Sequence, residues 1–519
     1  MKKPQETGMA VSMPATNLIN CPFVIKTLKG SAMAAVTWSP KKASALAGSV
    51  EIVGMFSGTK VPPRAHANLE SALGKQFKAI LARLNFTGEK NATLLVDGVK
   101  RPVLVVGLGD PKKLDLTVLR SAAASAGRAA SSYASATVSF GETAATVLKP
   151  EEVATALYEG FALGTYAYDV YKKSNKKALK KITIADVTKA TTAAAFKRSS
   201  AVCEGVIWAR DAINTPPNAK APKAFATQIQ KLFTTSSIKV SVMDEKAIRA
   251  KKMAGVIAVG QGSENRPRFV RLTYRSPGAK KTLAFVGKGV VFDSGGLSIK
   301  PGDSMTTMKC DMSGAAAVAG AMKAIAAIKP KVNIEGYIPL VENMPSGSAY
   351  RVDDIISYRN GVTVEVQNTD AEGRLILADA LIEASESKPD AIVDLATLTG
   401  SCVVALGDLI AAAMGNNDKL RSKVIDASEK AGERFWPMPL PEDYRALIDT
   451  PVANVANAGP RWGGSLTAGL FLREFVNNVD WCHLDIAGPA FLSKTDGENT
   501  EGGTGFGIRT LVAFAESFA

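Results

Sequence analysis

Strand-like and helix-like stretches alternate along almost the whole chain. In the first 190 residues, apolar runs typical of strands at 50–53 and 103–106 are separated by helix-like runs such as 69–84. The same alternation returns after residue 280, with strand-like runs at 332–340 and 391–395. Strands that alternate with helices predict a largely parallel sheet covered on both faces. The sequence therefore predicts an α/β fold, in which a largely parallel mixed sheet flanked by helices follows a smaller N-terminal α/β domain.

The length of the chain predicts more than one domain. A chain of 519 residues is too long for one ordinary hydrophobic core. Two prolines in the segment Asn214–Asn218 forbid continuation of the preceding helical run and mark a domain entry. We predict an N-terminal α/β domain at residues 1–190, a helical linker at 191–214 and a C-terminal domain at 215–519.

The composition is that of a folded protein without a membrane span. Hydrophobic residues make up 46% of the chain and charged residues 21%, which excludes global disorder. The most apolar long stretches, at 314–328 and 398–415, are short or are interrupted by Lys323 and Asp408. The N-terminal residues lack the apolar core of a signal peptide. We therefore expect a cytoplasmic protein with no membrane partner.

The cysteine and histidine contents restrict the possible metal chemistry. Five cysteines occur without any CxxC pair, which argues against a disulfide framework and for a reducing compartment. The two histidines, His66 and His483, are too few for a histidine-rich zinc cage. Any metal site in this chain must therefore be built mainly from oxygen ligands.

Positive charge is concentrated in the first part of the chain. Residues 1–300 carry 45 Lys and Arg against 19 Asp and Glu, whereas residues 301–519 carry 18 against 29. Such asymmetry is typical of proteins that bind a polyanion such as nucleic acid, but a solvated basic surface gives the same count. The solvated surface is the favoured interpretation, and nucleic acid stays a possible partner.

The octapeptide Asn368–Leu375 carries two carboxylates and a guanidinium between a predicted strand and a predicted helix. In an extended backbone, residues two apart point to the same side, so Asp370 and Glu372 are expected to converge. Two carboxylates that lie together need a counterion. Either Arg374 supplies it as a structural salt bridge, or a metal ion does and Arg374 is free to face a substrate.

Two further acidic residues lie near predicted strand ends. Gly287–Gly296 follows the strand-like run 282–286, and open α/β sheets bind ligands at the carboxyl ends of their strands. Asp293 in this glycine-rich segment is therefore well placed for a site, because glycine lets the backbone approach a ligand. Asp311 precedes a helix of small residues, where an N-cap carboxylate is the alternative to a ligand.

Together, the segments Gly287–Pro301, Met308–Ala316 and Asn368–Leu375 resemble the leucyl aminopeptidase family. The resemblance spans nearly all of residues 205–515, whereas the N-terminal part resembles the family only loosely. It continues through the segments Asn214–Asn218, Asp394–Gly400, Trp436–Leu440, Trp481–Gly488 and Gly503–Leu511.

The resemblance implies a two-metal exopeptidase that acts on peptides with a free α-amino group. It implies that Asp293 and Glu372 bridge two divalent ions, that Lys288 and Asp311 complete one ion, and that Asp370 completes the other. It further implies that Lys300 and Arg374 are the catalytic cations, with Arg374 holding a bicarbonate that acts as general base. The implied pocket for the first side chain, suited to leucine, contains Met308, Asn368, Thr397 and Gly400.

The implied charges are consistent with this chemistry. Two divalent ions would balance the four carboxylates, so that Lys300 and Arg374 would leave the site positive and suited to bicarbonate and to a developing oxyanion. The family uses zinc or manganese, although ligation by oxygen is the usual preference of magnesium or manganese. By the same resemblance we expect a homohexamer.

Two other function classes compete with this interpretation. The basic N-terminal region could add a nucleic-acid-binding regulatory role, in which binding falls steeply with added salt. A two-metal phosphatase or nuclease would use the same carboxylates, but it would not explain Lys288 as a ligand or the Met308 pocket.

Overall fold

The computed structural model describes residues 34–58, 63–145, 147–172, 179–187 and 190–519. The sequence predicts a solvated loop, with phosphate binding as the alternative, for the lysine-rich stretch 171–181, most of which lies outside these ranges. The strands within them are β1 Ala35–Trp38, β2 Val50–Phe56, β3 Thr93–Val96, β4 Val103–Gly109, β5 Ser135–Val138, β6 Lys181–Ile184, β7 Lys239–Met243, β8 Arg268–Tyr274, β9 Thr282–Gly287, β10 Gly289–Asp293, β11 Asn333–Asn343, β12 Ile355–Ser357, β13 Thr363–Glu365, β14 Ala391–Ala396, β15 Ala411–Gly415, β16 Phe435–Pro437, β17 Val455–Ala456, β18 Trp481–Asp485, β19 Phe491–Leu492 and β20 Gly502–Gly503.

The α-helices pack on the faces of the sheets that these strands form. They are α1 Pro63–Leu73, α2 Phe77–Arg83, α3 Leu116–Ala129, α4 Gly141–Ala144, α5 Pro150–Gly164, α6 Ala190–Asn214, α7 Pro222–Leu232, α8 Glu245–Ala250, α9 Ala254–Gly260, α10 Gly302–Met305, α11 Ser313–Ile328, α12 Glu372–Glu386, α13 Gly400–Leu406, α14 Asp418–Ala431, α15 Gly464–Arg473 and α16 Ile508–Glu516.

The N-terminal part forms a six-stranded sheet in the order β1-β6-β5-β2-β4-β3. All neighbouring strands in it are parallel except β3, which pairs antiparallel with β4. The single helix predicted over 69–84 is wrong, because α1 ends at Leu73 and α2 begins at Phe77. Gly74 between them has φ +85°, a conformation that interrupts a helix and that glycine adopts without strain.

The C-terminal part forms a larger mixed sheet in the order β16-β15-β18-β14-β9-β11-β8-β7, with β10 added beside β11. Strands β9, β11, β14 and β18 are mutually parallel. Strand β8 runs antiparallel to β11 and β7, whereas β15 runs antiparallel to β18 but parallel to β16. A largely parallel mixed sheet flanked by helices, with a second α/β domain before it, confirms the predicted fold class.

Helix α6 lies between the two sheets and covers the residues of the predicted linker. Gly205 of α6 packs so closely on α11 that a Cβ on it would lie 2.3 Å from the carbonyl oxygen of Gly320. In the described part of the chain, one helical stretch, Gly302–Ile328, is long and apolar enough by length and composition to cross a membrane. However, 78% of its most apolar window is buried inside the protein, as in a core helix.

A buried cluster of charged residues joins the N-terminal part to the C-terminal part. Glu159 of α5 accepts a hydrogen bond from Arg120 Nε of α3 at 2.8 Å and lies 3.5 Å from Arg509 Nη1 of α16. Arg509 also pairs with Glu498 at 2.9 Å. Because these side chains are almost fully buried, the network fixes α3 and α5 against α16 through charges that water does not screen.

Candidate metal centre

The carboxyl ends of neighbouring strands bring the predicted site residues together. Lys288 directly follows β9, Asp293 ends β10, and Thr397 directly follows β14. Because β9 is parallel to both β11 and β14, and β10 is parallel to β11, these ends meet at one edge of the sheet. This is the edge at which open α/β sheets bind ligands.

The loop between β13 and α12 adds the acidic pair of the octapeptide. Carboxylate oxygens of Asp293, Asp370 and Glu372 lie within 4.8 Å of one another, as the ligands of one metal ion must. The convergence is as predicted, but the extended backbone proposed to cause it is wrong. Asp370 lies in a turn, and Glu372 is the first residue of α12. The start of the helix therefore directs the Glu372 carboxylate toward the cluster.

Two lysines are the counterions of these carboxylates. Lys288 Nζ lies 2.8 Å from Asp311 and 2.9 Å from Glu372, and it donates to the carbonyl oxygen of Thr397 at 2.9 Å. Burial disfavours the ammonium, but Asp311, Glu372 and Asp293 outweigh burial and raise the pKa of Lys288.

Lys300 plays the same part on the other side of the cluster. Its Nζ lies 3.0 Å from Asp293 and 2.6 Å from Asp370. Here too the carboxylates, Asp293 first, outweigh burial and raise the pKa of the lysine. The two lysines therefore divide the cluster into a Lys288 side and a Lys300 side.

Arg374 is not the counterion of the acidic pair. Among the described residues it forms no ion pair, and its Nη1 donates to the backbone carbonyl of Asn457 at 2.8 Å. Its Nε is buried without a hydrogen-bond partner, and burial lowers the pKa of Arg374 to about 10. The salt-bridge alternative for the octapeptide is therefore wrong, and Arg374 has a buried donor left for an anion.

Asp311 does not cap the helix that follows it. Helix α11 begins at Ser313 without a side-chain cap, and Asp311 Oδ1 instead accepts a hydrogen bond from Thr397 at 2.7 Å. Its Oδ2 is buried without a hydrogen-bond partner, and burial raises the pKa of Asp311 well above its usual value. A buried carboxylate oxygen with no donor is a position where a cation is stabilising.

The crowding of the carboxylates shows that the residues present fit metal ions. Burial, and then the charge of Asp293, raise the pKa of Asp370 to about 6 even though Lys300 opposes the shift. The site contains more carboxylates than cationic side chains, because four carboxylates lie near Lys288, Lys300 and Arg374. Divalent cations bound between the carboxylates would reduce the repulsion among them. The donor set is mostly oxygen, as the scarcity of histidine predicts.

Several residues that the sequence analysis missed hold the ligand-bearing loops. Asn343, at the end of β11, donates to Asp293 at 2.8 Å and to the carbonyl oxygen of Thr369 at 3.0 Å. The buried hydroxyl of Tyr350 donates to the same carbonyl at 2.7 Å. The side chain of Asn457 donates to the carbonyl oxygen of Asn368 at 2.7 Å. The signal for Asn343 was its place just after the predicted strand 332–340, whereas Asn457 and Tyr350 carry no sequence signal.

Of the residues predicted to form the substrate pocket, Thr397 contacts the Lys288 side of the cluster. Met308 is three residues before Asp311, and Thr397 bonds to Asp311 directly. Gly400 is exposed, with no atom within 4 Å of the position that a Cβ would take. The side chain of Asn368 instead accepts the backbone N–H of Asp370 at 2.8 Å, so it supports the turn.

Comparisons with known proteins agree along the whole chain. A model of the catalytic domain of the cytosol aminopeptidase family matches residues 207–512, and a model of the family's N-terminal domain matches residues 52–175. Probable cytosol aminopeptidases of Streptomyces coelicolor and of Picosynechococcus sp. are 45% and 41% identical to this chain. Each similarity covers 93% of the chain, and 98% and 99% of the respective relative.

Solved structures of similar proteins have the same fold. The bottromycin maturation enzyme BotP, in complex with Mn, has a TM-score of 0.83 at 35% identity, and the similarity covers 91% of this chain and 99% of BotP. A mutant of tomato leucine aminopeptidase has a TM-score of 0.83 at 32% identity, over 94% of this chain and 97% of the tomato protein. None of these descriptions concerns nucleic acid.

Proposed function

The chain belongs to the cytosol aminopeptidase family and is a metal-dependent hydrolase of N-terminal peptide bonds, and from this premise we propose a two-metal site and its residue roles. The observation that carries the proposal is the cluster of Asp293, Asp370 and Glu372 within 4.8 Å. We assign these three residues to one divalent ion. We assign Lys288 and Asp311, with Asp293 and Glu372 as bridging ligands, to the other.

The metals are proposed to be Zn²⁺ or Mn²⁺. The Mn complex of BotP and the oxygen-rich donor set favour Mn²⁺. Lys288 would ligate only after a metal ion displaces the proton that the carboxylates otherwise stabilise on it, and its nitrogen would then suit Zn²⁺. When bound, such ions polarise the scissile carbonyl and activate a water molecule.

The side chains around the cluster orient the peptide and stabilise charge. We place the free α-amino group of the peptide on the Lys288 side, next to Asp311. We place the scissile carbonyl next to Lys300, whose ammonium would stabilise the negative charge that develops on its oxygen. Lys300 is fixed for this role by its contacts with Asp293 and Asp370.

Arg374 is proposed to hold a bicarbonate ion that acts as general base. Its guanidinium is held by the carbonyl of Asn457 and lies over the ring of Phe471, with 6.0 Å between Cζ and the ring centroid. The free Nε supports this role, because a guanidinium binds a planar oxyanion through adjacent N–H groups. Activity that does not respond to added bicarbonate would contradict the assignment.

Leucine and similar apolar residues are the proposed first residues of the substrate. Met308 supplies an apolar wall, and the open space at Gly400 leaves room for a branched side chain. A cytoplasmic location and a homohexameric assembly are further proposals, supported by the resemblance to the leucyl aminopeptidase family and by the buried, unpaired cysteines of the described chain.

The test combines metal analysis with defined substrates. Purified protein should hold two divalent ions per chain and should release leucine from leucinamide but not from an N-acetylated analogue. Glu372→Ala should lose at least one ion and nearly all activity while it stays folded by circular dichroism, because the proposed bridging ligand is gone. Activity above about a tenth of wild type in Glu372→Ala would contradict the two-metal proposal.

A further inference from the structure

One short segment, residues 458–463, joins the two sides of the candidate site. The segment starts after Asn457, which holds Arg374 through its carbonyl and Asn368 through its side chain. It ends at Gly463, and a Cβ on the next residue, Gly464, would lie 2.7 Å from Ser401 Oγ, next to the proposed pocket residue Gly400. The segment, which we call the mouth segment, therefore runs along the opening between the Arg374 side and the pocket side.

The mouth segment is anchored at its carboxyl end. Gly463 has φ +73°, and a Cβ on it would lie 3.3 Å from the ring of Tyr444. A Cβ at Gly463 would press on Tyr444 and one at Gly464 on Ser401, so the backbone here lies close to both neighbours. Trp462 directly precedes these two glycines, at the pocket end of the mouth segment.

Trp462 presents an open aromatic face to solvent. Its side chain is 79% exposed, more than any other described tryptophan. The guanidinium of Arg461 lies 5.2 Å from the centroid of the ring and covers one face. The other face is free to stack on a planar or apolar group.

We infer that Trp462 contacts the substrate residue on the carboxyl side of the scissile bond and gives the enzyme a preference for peptides whose second residue is aromatic or large and apolar. The inference rests on the proposed function, since that function puts the first residue in the Met308 pocket and the scissile carbonyl beside Lys300. The remainder of the peptide must then leave through the opening that the mouth segment borders. The guanidinium of Arg461, which lies next to the ring, disfavours a cationic second residue because like charges repel.

The test measures kcat/KM for Leu-Phe, Leu-Gly and leucinamide, which has no residue after the scissile bond. Wild type should prefer Leu-Phe to Leu-Gly by about threefold to tenfold, the usual size of one aromatic contact. Trp462→Ala should bring this ratio close to one, and Trp462→Phe should retain most of it. Trp436→Ala is the matched control, because it removes another exposed indole, 60% exposed, from the edge strand β16 and should keep the wild-type ratio.

The outcomes separate this inference from the function on which it rests. If wild type does not release leucine from leucinamide, the proposed function fails. If leucinamide is hydrolysed but Trp462→Ala keeps the wild-type ratio of Leu-Phe to Leu-Gly, the inference about Trp462 is wrong. If Trp462→Ala changes the sedimentation coefficient of the assembly and not the ratio, Trp462 covers a contact between copies of the chain, and the inference is equally overturned.

Discussion

At the scale of single residues, Lys300 is proposed to act on the substrate without binding a metal. Lys300→Ala should therefore keep both ions but lower kcat on the order of a hundredfold or more, because a cation fixed beside the developing oxyanion is removed. Metal content by elemental analysis and steady-state kinetics check both parts. Loss of an ion together with the activity would show that Lys300 instead holds Asp293 and Asp370 in place.

Lys288 gives the opposite expectation, since it is proposed to bind a metal through its amine. Lys288→Arg should lower the affinity for the second ion and abolish most activity, because a guanidinium does not deprotonate. Arginine is also larger, and Lys288 Cε lies only 2.5 Å from the position of a Cβ on Gly373. Lys288→Met matches the volume of lysine but has no nitrogen, so it separates the loss of the nitrogen ligand from the steric effect of a larger side chain.

The metal affinity of the two Lys288 variants decides the assignment. Isothermal titration with Mn²⁺ should show one tight site in both Lys288→Arg and Lys288→Met. Two sites of wild-type affinity in Lys288→Met would mean that Asp311 and the bridging carboxylates hold the second ion without the lysine.

The sequence analysis located the carboxylates of the site but not the residues that hold them. Asp293 and Glu372 were predictable because each lies where a strand ends or a helix begins. Their partners were not, because Asn343 reaches Asp293 across 50 residues and a folded sheet, and a single sequence carries no record of such a contact. The lysines that pair with the carboxylates were not predicted for the same reason, since Arg374 is adjacent in sequence but Lys288 and Lys300 are adjacent in space.

At the scale of secondary-structure elements, one buried carboxylate fixes two helices. Asp379 of α12 accepts the backbone N–H of Val256 at 2.9 Å, at the start of α9, which has no cap of its own. Burial raises the pKa of Asp379 to about 7, although this and other backbone N–H groups of α9 oppose the shift. The contact between α9 and α12 therefore contains a group that titrates near neutral pH.

Asp379→Asn should remove part of the pH dependence of stability. An unfolded aspartate ionises near pH 3.9, so between about pH 4 and 7 the folded chain binds more protons than the unfolded chain. The stability that Asp379 contributes is thus present at low pH and is lost as pH rises, by at most about 1.4 kcal/mol per unit. Asparagine stays neutral, so the variant should lose less stability than wild type between pH 5.5 and 8.

Urea unfolding at several pH values checks this expectation. Asp418→Asn, which changes an exposed aspartate at the start of α14, should follow the wild-type curve. A variant at position 379 whose pH dependence equals that of wild type would show that Asp379 titrates normally in the fold.

The elements themselves were largely predictable because apolar periodicity decides them. Helix α11 and strand β14 lie within a few residues of their predicted bounds. The sequence also predicts a strand at 362–366 before the octapeptide and a helix near 201–212 before Asn214. The structure has a shorter strand at Thr363–Glu365 and a longer helix at Ala190–Asn214. The bounds of α6 depend on its packing against α11, and the apolar periodicity of the α6 sequence alone does not reveal this packing.

At the scale of the whole molecule, the buried charge cluster around Glu159 couples the two parts of the chain. Glu159→Gln keeps the shape of the side chain but leaves the buried Arg120 and Arg509 without its charge, a change that typically costs about 3–5 kcal/mol. We expect calorimetry to show the N-terminal part unfolding at a lower temperature, as a transition separate from that of the rest.

A charge change elsewhere on the same helix gives the control for Glu159. Glu152 of α5 is exposed and lies 4.0 Å from Lys149, so Glu152→Gln should change stability by less than about 1 kcal/mol. A single transition at the wild-type temperature in Glu159→Gln would mean that the two parts are held together by apolar packing of α6 alone.

The topology of the N-terminal sheet has a consequence for the synthesis of the chain. Strand β1 pairs with β6, about 145 residues later, and Arg198 of α6 pairs with Glu516, 318 residues later. At about 5–20 residues per second, β1 leaves the ribosome roughly 7 to 30 s before its partner strand exists. Helix α6 can pack on α11 once residue 328 is made, but Arg198 waits for Glu516 almost until translation ends, so its charge stays open to chaperones during the whole second half of synthesis.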